Sequence, residues 1–328
     1  MPTTSVGDEP SHAAVKNTDL IVRLPNHLGD ACMALPALDL LAARGRALTL
    51  AGRPWAAELF DAYPWPVVAL RGDRRRRIAA LRESALRGTP ALLLTNSFGS
   101  ALDFRLAGLR PTGYRTDLRG WLLAQPVPVP ARWRRHDSPM HMVEYYYELA
   151  QVLAGQGAPP VPPSLSLRLS AAAFDRARTA LGSAGIDREY VILCPVAVGL
   201  HEGRAKAWSG FGALSTHLLG AGVRVVASPG PGEREAVRAA IPEATLLPEA
   251  DVGTFAALLA GSRLVVANDS GAAHLAAAVG APLITLFGVT DAQRTGPWST
   301  TAIRLGGADR WPGFDEVAAA VRRQLRLR

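Results

Sequence analysis

The stretch from Val265 to Gly288, VVANDSGAAHLAAAVGAPLITLFG, constrains the fold more than any other part of the chain. The apolar run from Leu264 to Ala267 predicts a strand, and the Asn, Asp, Ser and Gly that follow favour a loop or a helix cap. Residues Ala272 to Val279 predict a short helix of small side chains with one apolar face, and Leu283 to Phe287 predict a second strand. The stretch therefore indicates a tight βαβ unit.

The loop inside this unit is a candidate anion site. It places backbone N–H groups at the start of a helix, where unpaired N–H groups and the helix dipole both favour negative charge. Asp269 and His274 stand beside the loop. We interpret it as a binding site for the phosphates of a donor substrate.

Strand and helix patterns alternate along the rest of the chain, and 328 residues are long for a single core. The Pro- and Gly-rich segment from Gly155 to Ser166 is the best candidate for a domain boundary. We therefore expect an α/β protein of two Rossmann-like, doubly wound domains with a cleft between them. The first domain is expected over residues 19–160 and the second over residues 161–328, after a disordered lead over residues 1–18.

The first domain opens with a similar strand–loop–helix pattern. Asp19 to Leu24 predict a strand, Pro25 to Asp30 a loop, and Ala31 to Ala43 a helix. The G-x-G-x-x-G fingerprint is missing, which disfavours a redox dinucleotide enzyme.

Further along, the seven arginines from Arg105 to Arg135 show little periodicity. They indicate either a flexible basic loop near an acceptor or solvated arginines on an irregular surface.

Composition and missing motifs narrow the class of protein. The sequence lacks the P-loop pattern G-x-x-x-x-G-K-[ST], the zinc-protease pattern H-E-x-x-H, a Cys/His cluster and the nucleophile elbow G-x-S-x-G. Cys32 and Cys194 predict reduced core thiols. A net charge of +8 suits an anionic partner such as membrane lipid, a phosphorylated glycolipid or nucleic acid, or serves solubility alone. We expect neither a secretory signal nor a transmembrane helix.

Five segments in chain order carry a family signature. They are RLPNHLGDACMALPAL, LLLTNSFGSALDFRLAGLRPTGYR, the tyrosine-rich helix from His141 to Leu153, Lys206-x-Trp208 and NDSGAAHLAAAVGAPLITLFG. Together they resemble the lipopolysaccharide heptosyltransferases of glycosyltransferase family 9, with the first two segments more similar to heptosyltransferase II than to heptosyltransferase I. The resemblance runs from about residue 20 to about residue 300. It implies a GT-B fold with an acceptor domain first and an ADP-heptose domain second, and an inverting transfer.

In the first domain, the resemblance implies that Asp30 is the general base that takes the proton from the acceptor hydroxyl. An aspartate of ordinary pKa, about 3.9, can do this if it is well positioned and the proton moves late. The residues alone allow an ordinary N-cap aspartate instead, and one residue can do both. Asn26, Gly29, Ser97 and Ser100 are expected at the acceptor, with loop capping an equal alternative for the two serines.

In the second domain, the resemblance places Lys206 at the diphosphate leaving group, which suits a compact ammonium. Only two of the 36 basic residues are lysines, so an ordinary surface lysine is a less attractive explanation. The loop before it departs from the family, because Pro195-Val196-Ala197 stands where Pro-Gly-Ala is usual, and contacts from Val198 to Glu202 stay open. Glu233 or Glu235 is expected to accept hydrogen bonds from ribose hydroxyls, with a surface helix start as the alternative.

The loop of the opening stretch takes specific roles under the same resemblance. Asp269, Ser270 and Gly271 are expected to present backbone N–H groups to the pyrophosphate, with Ser270 adding a hydroxyl and Gly271 allowing close approach. Asp269 is interpreted as a helix cap, a group that orients the amides, or a partner of sugar hydroxyls. His274 donates to a phosphate, bonds across the loop, or is purely structural.

These expectations combine into one hypothesis of function. The chain is expected to transfer L-glycero-D-manno-heptose from ADP-heptose to the inner core of lipopolysaccharide, with heptose I of a Kdo–lipid A core as the favoured acceptor. It requires no cofactor or metal, although Mg²⁺ on the diphosphate is compatible with it. The enzyme is expected in the Gram-negative cytoplasm, in peripheral contact with the inner membrane and without a nucleic acid partner. The alternatives are a related GT-B enzyme or epimerase that uses another nucleotide sugar, and a non-catalytic binder of nucleotide sugars or glycolipids.

Overall fold

The computed structural model of the chain describes residues 18–135, 139–197, 199–201 and 203–327. All but the last residue of the expected disordered lead lies outside the described residues. So do Val198 and Glu202, whose contacts the sequence leaves open.

The first sheet has six parallel strands in the order β3–β2–β1–β4–β5–β6. The strands are β1 (Leu20–Arg23), β2 (Leu48–Gly52), β3 (Val67–Ala69), β4 (Pro90–Leu93), β5 (Arg110–Tyr114) and β6 (Gln125–Val127). The helices of this part of the chain are α1 (Leu28–Met33), α2 (Leu35–Ala43), α3 (Ala56–Leu59), α4 (Arg74–Ser84), α5 (Phe98–Leu106) and α6 (Met142–Ala154).

The second sheet also has six parallel strands, in the order β11–β10–β7–β12–β13–β14. The strands, with a short antiparallel hairpin β8–β9, are β7 (Val191–Cys194), β8 (Leu200–His201), β9 (Arg204–Ala205), β10 (Val225–Ala227), β11 (Thr245–Leu246), β12 (Leu264–Asn268), β13 (Leu283–Phe287) and β14 (Ile303–Gly306). Its helices are α7 (Ala171–Ser183), α8 (Phe211–Gly220), α9 (Arg234–Ala240), α10 (Val252–Ala260), α11 (Gly271–Ala278), α12 (Ala292–Thr295) and α13 (Phe314–Leu325).

Both sheets are wound in the same way. In each, the first strand along the chain lies in the middle, the second and third follow on one side, and the fourth to sixth follow on the other. The prediction of two doubly wound α/β sheets is therefore confirmed. The domain boundary near residue 160 stays a prediction.

The arginine-rich region from Arg105 to Arg135 does not form a loop, so that interpretation was wrong. It contains β5 and β6 and two short 3₁₀ helices, Gly120–Leu122 and Ala131–Arg134. The solvated-arginine alternative also fails at Arg119, whose side chain is fully buried.

Arg119 ties the ends of β4 and β5 together. Its guanidinium donates to the carbonyl oxygen of Tyr114 at 3.0 Å, to Oδ1 of Asn96 at 3.1 Å and to the carbonyl oxygen of Thr95. A guanidinium carries five N–H donors in a rigid plane, so it can hold several acceptors at once. Arg119 thereby fixes the chain where it leaves both strands.

The helix predicted from Ala31 to Ala43 is in fact two helices, α1 and α2, separated at Ala34. Pro36 lies in the first turn of α2 and has no N–H to donate back into α1, so a continuous helix would lose a hydrogen bond there. α1 also begins three residues earlier than predicted. As a result, Asp30 lies inside the first turn of a helix rather than ahead of it.

The two domains meet where α1 packs against α11. A methyl group on Gly29 would come within 2.6 Å of Cδ2 of His274, and one on Gly271 would come within 3.3 Å of Cβ of Leu28. The small residues of both helices therefore permit an approach that larger side chains would prevent. For the same reason α11 is buried from Ala273 to Ala278 and does not have the single apolar face that the sequence predicts.

His141 connects the first domain to the second at the start of α6. Its Nδ1 accepts a hydrogen bond from the backbone N–H of Val143 at 3.1 Å, and its Nε2 lies 2.9 Å from the carbonyl oxygen of Gly296. Because Nδ1 accepts, the proton of the neutral ring is on Nε2 and is donated to Gly296. Burial lowers the pKa of His141 to about 4, so the ring stays neutral at physiological pH.

We expect His141 to destabilise the fold as the pH drops from about 6.5 to about 4. In this range the unfolded chain, in which the pKa is about 6.5, binds a proton that the folded chain does not, so acid favours unfolding. The fall to a pKa of about 4 corresponds to about 3 kcal/mol of unfolding free energy. Urea unfolding at several pH values measures the effect.

His141→Asn is the matched variant, because asparagine is a good N-cap that does not titrate. It should lose this part of the pH dependence. If the variant and the wild type lose stability equally between pH 6.5 and 4, another group is responsible.

Candidate active site

The switch points of the two sheets open into one cavity of about 860 Å³. Ligands of doubly wound sheets bind where the strand order reverses, which is between β1 and β4 in the first sheet and between β7 and β12 in the second. The loop after β1, together with α1, forms one wall, and the loops after β7, β10, β12 and β13 form the other. The cavity brings together the predicted site residues Gly29, Asp30, Lys206, Glu233, Asp269, Ser270, Gly271 and His274.

Asp30 faces the cavity from the first domain. The N-cap residue of α1 is His27, so the interpretation of Asp30 as the N-cap was wrong. Burial raises the pKa of Asp30, while His274, His27, the hydroxyl of Tyr146 and Lys206 act in the opposite direction. The net result is a carboxylate that binds a proton more readily than an exposed aspartate does.

Lys206 enters the cavity from the end of the hairpin β8–β9. Its Nζ lies 3.7 Å from Oδ2 of Asp269, and its side chain is 24% exposed. Trp208 anchors the chain two residues further on: its backbone N–H donates to Oδ1 of Asn268 at 2.9 Å, and its indole N–H donates to the carbonyl oxygen of Pro312 at 2.8 Å. The Lys-x-Trp pattern therefore combines an anchor on the end of β12 with a cation directed into the cavity.

Asp269 is a buried residue that holds its neighbours rather than capping the helix. Its Oδ2 accepts from the hydroxyl of Thr290 at 2.7 Å, and its Oδ1 lies 3.9 Å from Nε2 of His274. The N-cap residue of α11 is Ser270, so the interpretation of Asp269 as the cap was wrong by one position. Asp269 is placed to orient Lys206 and His274.

Two polar atoms at the start of α11 are buried and have no hydrogen-bond partner within the described part of the chain. They are Oγ of Ser270 and Nδ1 of His274. Burial lowers the pKa of His274, although Asp269 and Asp30 raise it, so the ring is neutral. Unpaired buried polar atoms are costly, and they lie beside the unpaired N–H groups of the helix start. This position suits a ligand that is anionic and accepts hydrogen bonds.

The structure distinguishes between the two glutamates that were expected to accept hydrogen bonds from the ribose hydroxyls. Glu233 is half-buried, lines the cavity and accepts a hydrogen bond from the backbone N–H of Gly230 at 3.0 Å. Glu235 lies in the first turn of α9, is exposed and is not part of the cavity wall. Glu233 is therefore the better placed of the two.

Three of the predicted acceptor residues lie outside the cavity. Oδ1 of Asn26 accepts from the guanidinium of Arg23 at 2.6 Å. Ser97 is the N-cap of α5 and accepts from the backbone N–H of Ser100 at 3.3 Å, which is the loop-capping alternative. All three follow the carboxyl ends of β1 and β4, at the same edge of the sheet as the cavity.

The sequence interpretation missed Thr290 and Tyr146. Thr290 lies just after β13, and the rule that ligands bind beyond the ends of strands could have identified it. Tyr146 lies in the middle of α6 and approaches Asp30 only through tertiary packing, for which no local pattern exists.

Comparisons with known proteins identify relatives of the whole fold. The sequence model of glycosyltransferase family 9 (heptosyltransferase) matches residues 76–322. Lipopolysaccharide heptosyltransferase 2 of Salmonella typhimurium is 32% identical over 271 residues, which cover 76% of this chain and 74% of the relative. Lipopolysaccharide heptosyltransferase 3 of Escherichia coli is 30% identical over 194 residues, 55% of each chain.

Solved structures show the same fold. The structure of E. coli ADP-heptose lipopolysaccharide heptosyltransferase II superposes with a TM-score of 0.73 at 24% identity, covering 94% of this chain and 98% of the other. E. coli heptosyltransferase WaaC with ADP gives a TM-score of 0.71 at 20% identity over the same shares. The fold is thus GT-B, as the resemblance implied. With its family match over residues 76–322, the chain belongs to glycosyltransferase family 9, the heptosyltransferase family.

Proposed function

We propose that the protein transfers L-glycero-D-manno-heptose from ADP-heptose to the inner core of lipopolysaccharide, with inversion at the anomeric carbon. The observation that carries the proposal is one cavity with Asp30 on its first wall, and with Lys206 and the start of α11 on its second. A displacement at a sugar carbon needs a base for the nucleophile and positive charge for the leaving group. The relatives named lipopolysaccharide heptosyltransferase 2 support the donor and the acceptor class.

The reaction follows from this arrangement. The acceptor hydroxyl, on the side of α1, attacks the anomeric carbon while the bond from that carbon to the β-phosphate oxygen breaks. Asp30 accepts the hydroxyl proton. Attack and departure on opposite faces invert the configuration, because the base and the leaving-group site belong to different walls of the cavity.

Positive charge for the departing ADP comes from two sources on the second wall. Lys206 supplies a full charge, and Asp269, 3.7 Å away, holds it in position. The N–H groups at the start of α11 supply partial charge, with the hydroxyl of Ser270 as a further donor. Such donors act strongly because they are fixed in place before the reaction.

The far end of the cavity suits the nucleoside. Glu233 is proposed to accept from the ribose hydroxyls. Val237, Val252 and Phe255 line the same region and offer an apolar surface for the base. Glu235 is not proposed for this contact, because it is exposed and outside the cavity wall.

The acceptor and location are part of the proposal. We propose heptose I of a Kdo–lipid A core as the acceptor, in line with the relatives named heptosyltransferase 2. The enzyme would act on the cytoplasmic side of the inner membrane of a Gram-negative cell, in peripheral contact with it. Within the described residues, no helix is both long enough and apolar enough to cross a bilayer.

A transfer assay tests the proposal. ADP-heptose and cores truncated at defined sugars should give a product one heptose heavier only when heptose I is the terminal sugar. Transfer from a different nucleotide sugar, and not from ADP-heptose, in the same assay would show that the proposed donor is wrong. Binding of ADP-heptose without transfer to any core would instead indicate a non-catalytic binder.

We expect chelation of divalent metal to leave the transfer rate within about twofold of the untreated enzyme. Lys206 and the amides of α11 supply the positive charge that a metal would otherwise place on the diphosphate. The measurement is the initial rate with and without EDTA, and with Mg²⁺ restored. A loss of about tenfold or more that Mg²⁺ reverses would contradict it.

A further inference from the structure

Three apolar side chains are exposed at one corner of the first domain. Leu118 is 90% exposed, Trp121 is 73% exposed and Phe98 is 39% exposed. The rings of Phe98 and Trp121 lie 6.0 Å apart, so the residues form one patch, which we call the apolar tip. They follow the carboxyl ends of β4 and β5, the edge of the sheet on which Asp30 also lies.

The backbone presents the apolar tip at a conformational cost. Asp117 and Leu118 have φ values of 47° and 57°, in the left-handed region that side chains other than glycine seldom adopt. The backbone N–H of Arg119 donates to the carbonyl oxygen of Thr116 at 3.0 Å and closes a tight turn over these two residues. The buried guanidinium of Arg119 holds the base of the turn. A bulky residue in this conformation that is almost entirely exposed gains nothing from the fold itself, which points to a role outside it.

Two arginines lie beside the apolar tip. Arg115 and Arg134 line the same hollow as Leu118 and Trp121. A methyl group on Gly120 would come within 2.9 Å of Cγ of Arg115, so the stem of this arginine lies across the backbone next to Trp121. Asp117 is the acidic residue of the hollow, and it acts on the buried Arg119, whose pKa burial lowers and Asp117 raises.

We propose that the apolar tip docks on the surface of an anionic phospholipid bilayer. An exposed tryptophan beside an aliphatic residue is suited to the boundary between headgroups and acyl chains, and flanking arginines are attracted to anionic headgroups. The charge complementarity between these arginines and anionic headgroups is therefore the reason for choosing a membrane as the partner of the apolar tip. The proposal rests on the proposed function, in which the acceptor is anchored in a membrane by its lipid.

Docking at this corner has a geometric consequence for the reaction. The apolar tip and Asp30 follow the same edge of one rigid parallel sheet, so the membrane would lie on the acceptor side of the cavity. The donor wall belongs to the second sheet. ADP-heptose could thus enter from solvent while the acceptor stays in the bilayer.

Vesicle flotation tests the proposal, using phosphatidylcholine vesicles with and without phosphatidylglycerol. Leu118→Ser/Trp121→Ser should weaken binding to the anionic vesicles by about tenfold or more. Arg115→Gln/Arg134→Gln should weaken it by about fivefold per charge removed, with no effect on the zwitterionic vesicles. Leu86→Ser is the matched control, because Leu86 is also 73% exposed but precedes β4 at the opposite edge of the sheet. It should bind as the wild type does.

Three outcomes would overturn the proposal. They are wild-type vesicle binding by Leu118→Ser/Trp121→Ser, an equal loss of binding in Leu86→Ser, and equal binding of the wild type to zwitterionic and anionic vesicles. If the first outcome comes with dissociation of a wild-type dimer, the patch is an interface between two copies. Transfer to a core without acyl chains should be the same for this variant and the wild type. Failure of that transfer in the wild type would refute the proposed function and leave the vesicle result standing.

Discussion

Replacing Asp30 with asparagine is expected to lower turnover by about 10²- to 10⁴-fold while ADP binds within about twofold of wild type. Asparagine keeps the shape of the side chain but cannot take the proton of the acceptor hydroxyl. Burial raises the pKa of Asp30, so the rate of the wild type should also fall on the acid side at a pH above about 3.9, the ordinary value for aspartate. Initial rates with a truncated core measure the loss, and calorimetry measures ADP binding.

Asp39→Asn is the matched control. Asp39 is an exposed aspartate on α2 and is not part of the cavity wall. The control should keep normal turnover. If Asp30→Asn does so as well, the base is another group, and the carboxylates of Asp269 and Asp291 are the next to test, since both line the cavity.

Replacing Lys206 with alanine is expected to lower turnover by about 10²- to 10³-fold, because a fixed positive group is removed from the leaving diphosphate. ADP should bind about 10- to 100-fold more weakly, since a hydrogen bond to a charged group contributes about 1.5–3 kcal/mol. This loss of ADP affinity distinguishes Lys206 from Asp30. Binding and initial rates are measured as for Asp30→Asn.

Arg204→Ala controls for disturbance of the hairpin. Arg204 lies in β9, and its guanidinium is 3.3 Å from Asp309 rather than in the cavity. It should bind ADP and turn over normally. Equal losses in Arg204→Ala and Lys206→Ala would mean that the loop, and not the charge of Lys206, supports the reaction.

Much of the fold could be predicted because its strands and helices carry their own signals. The strand Leu283–Phe287 matches its predicted bounds, and the tyrosine-rich helix expected from His141 to Leu153 forms as Met142–Ala154, since each has a clear apolar run or helical pattern. β5 and β6 were missed because they are short and contain Pro111 and Pro126, which local rules assign to turns. Their place in the sheet depends on pairing with β4, which is not encoded locally.

The site could be predicted as far as it follows strand ends. Asp30 follows β1 and lines the cavity, whereas Lys206, which also lines it, was expected from the family resemblance and not from the short strand β9 before it. The choice between Asp269 and Ser270 as the cap depends on one residue of helix register, which sequence patterns do not resolve. The raised pKa of Asp30 and the approach of Tyr146 depend on burial and tertiary packing around Asp30, which no pattern of neighbouring residues in the sequence encodes.

The close approach of Gly29 to His274 leaves little space between the two domains at this point. In a rotation about a pivot, points move in proportion to their distance from it. If the domains rotate about α1 and α11, Asp30 and His274 lie beside the axis and hardly change their separation, while Glu233, at the nucleoside end, moves further. The nucleoside end of the cavity could then open to exchange nucleotides while Asp30 and His274 keep their separation. Product release would therefore not require these groups to be realigned in each cycle.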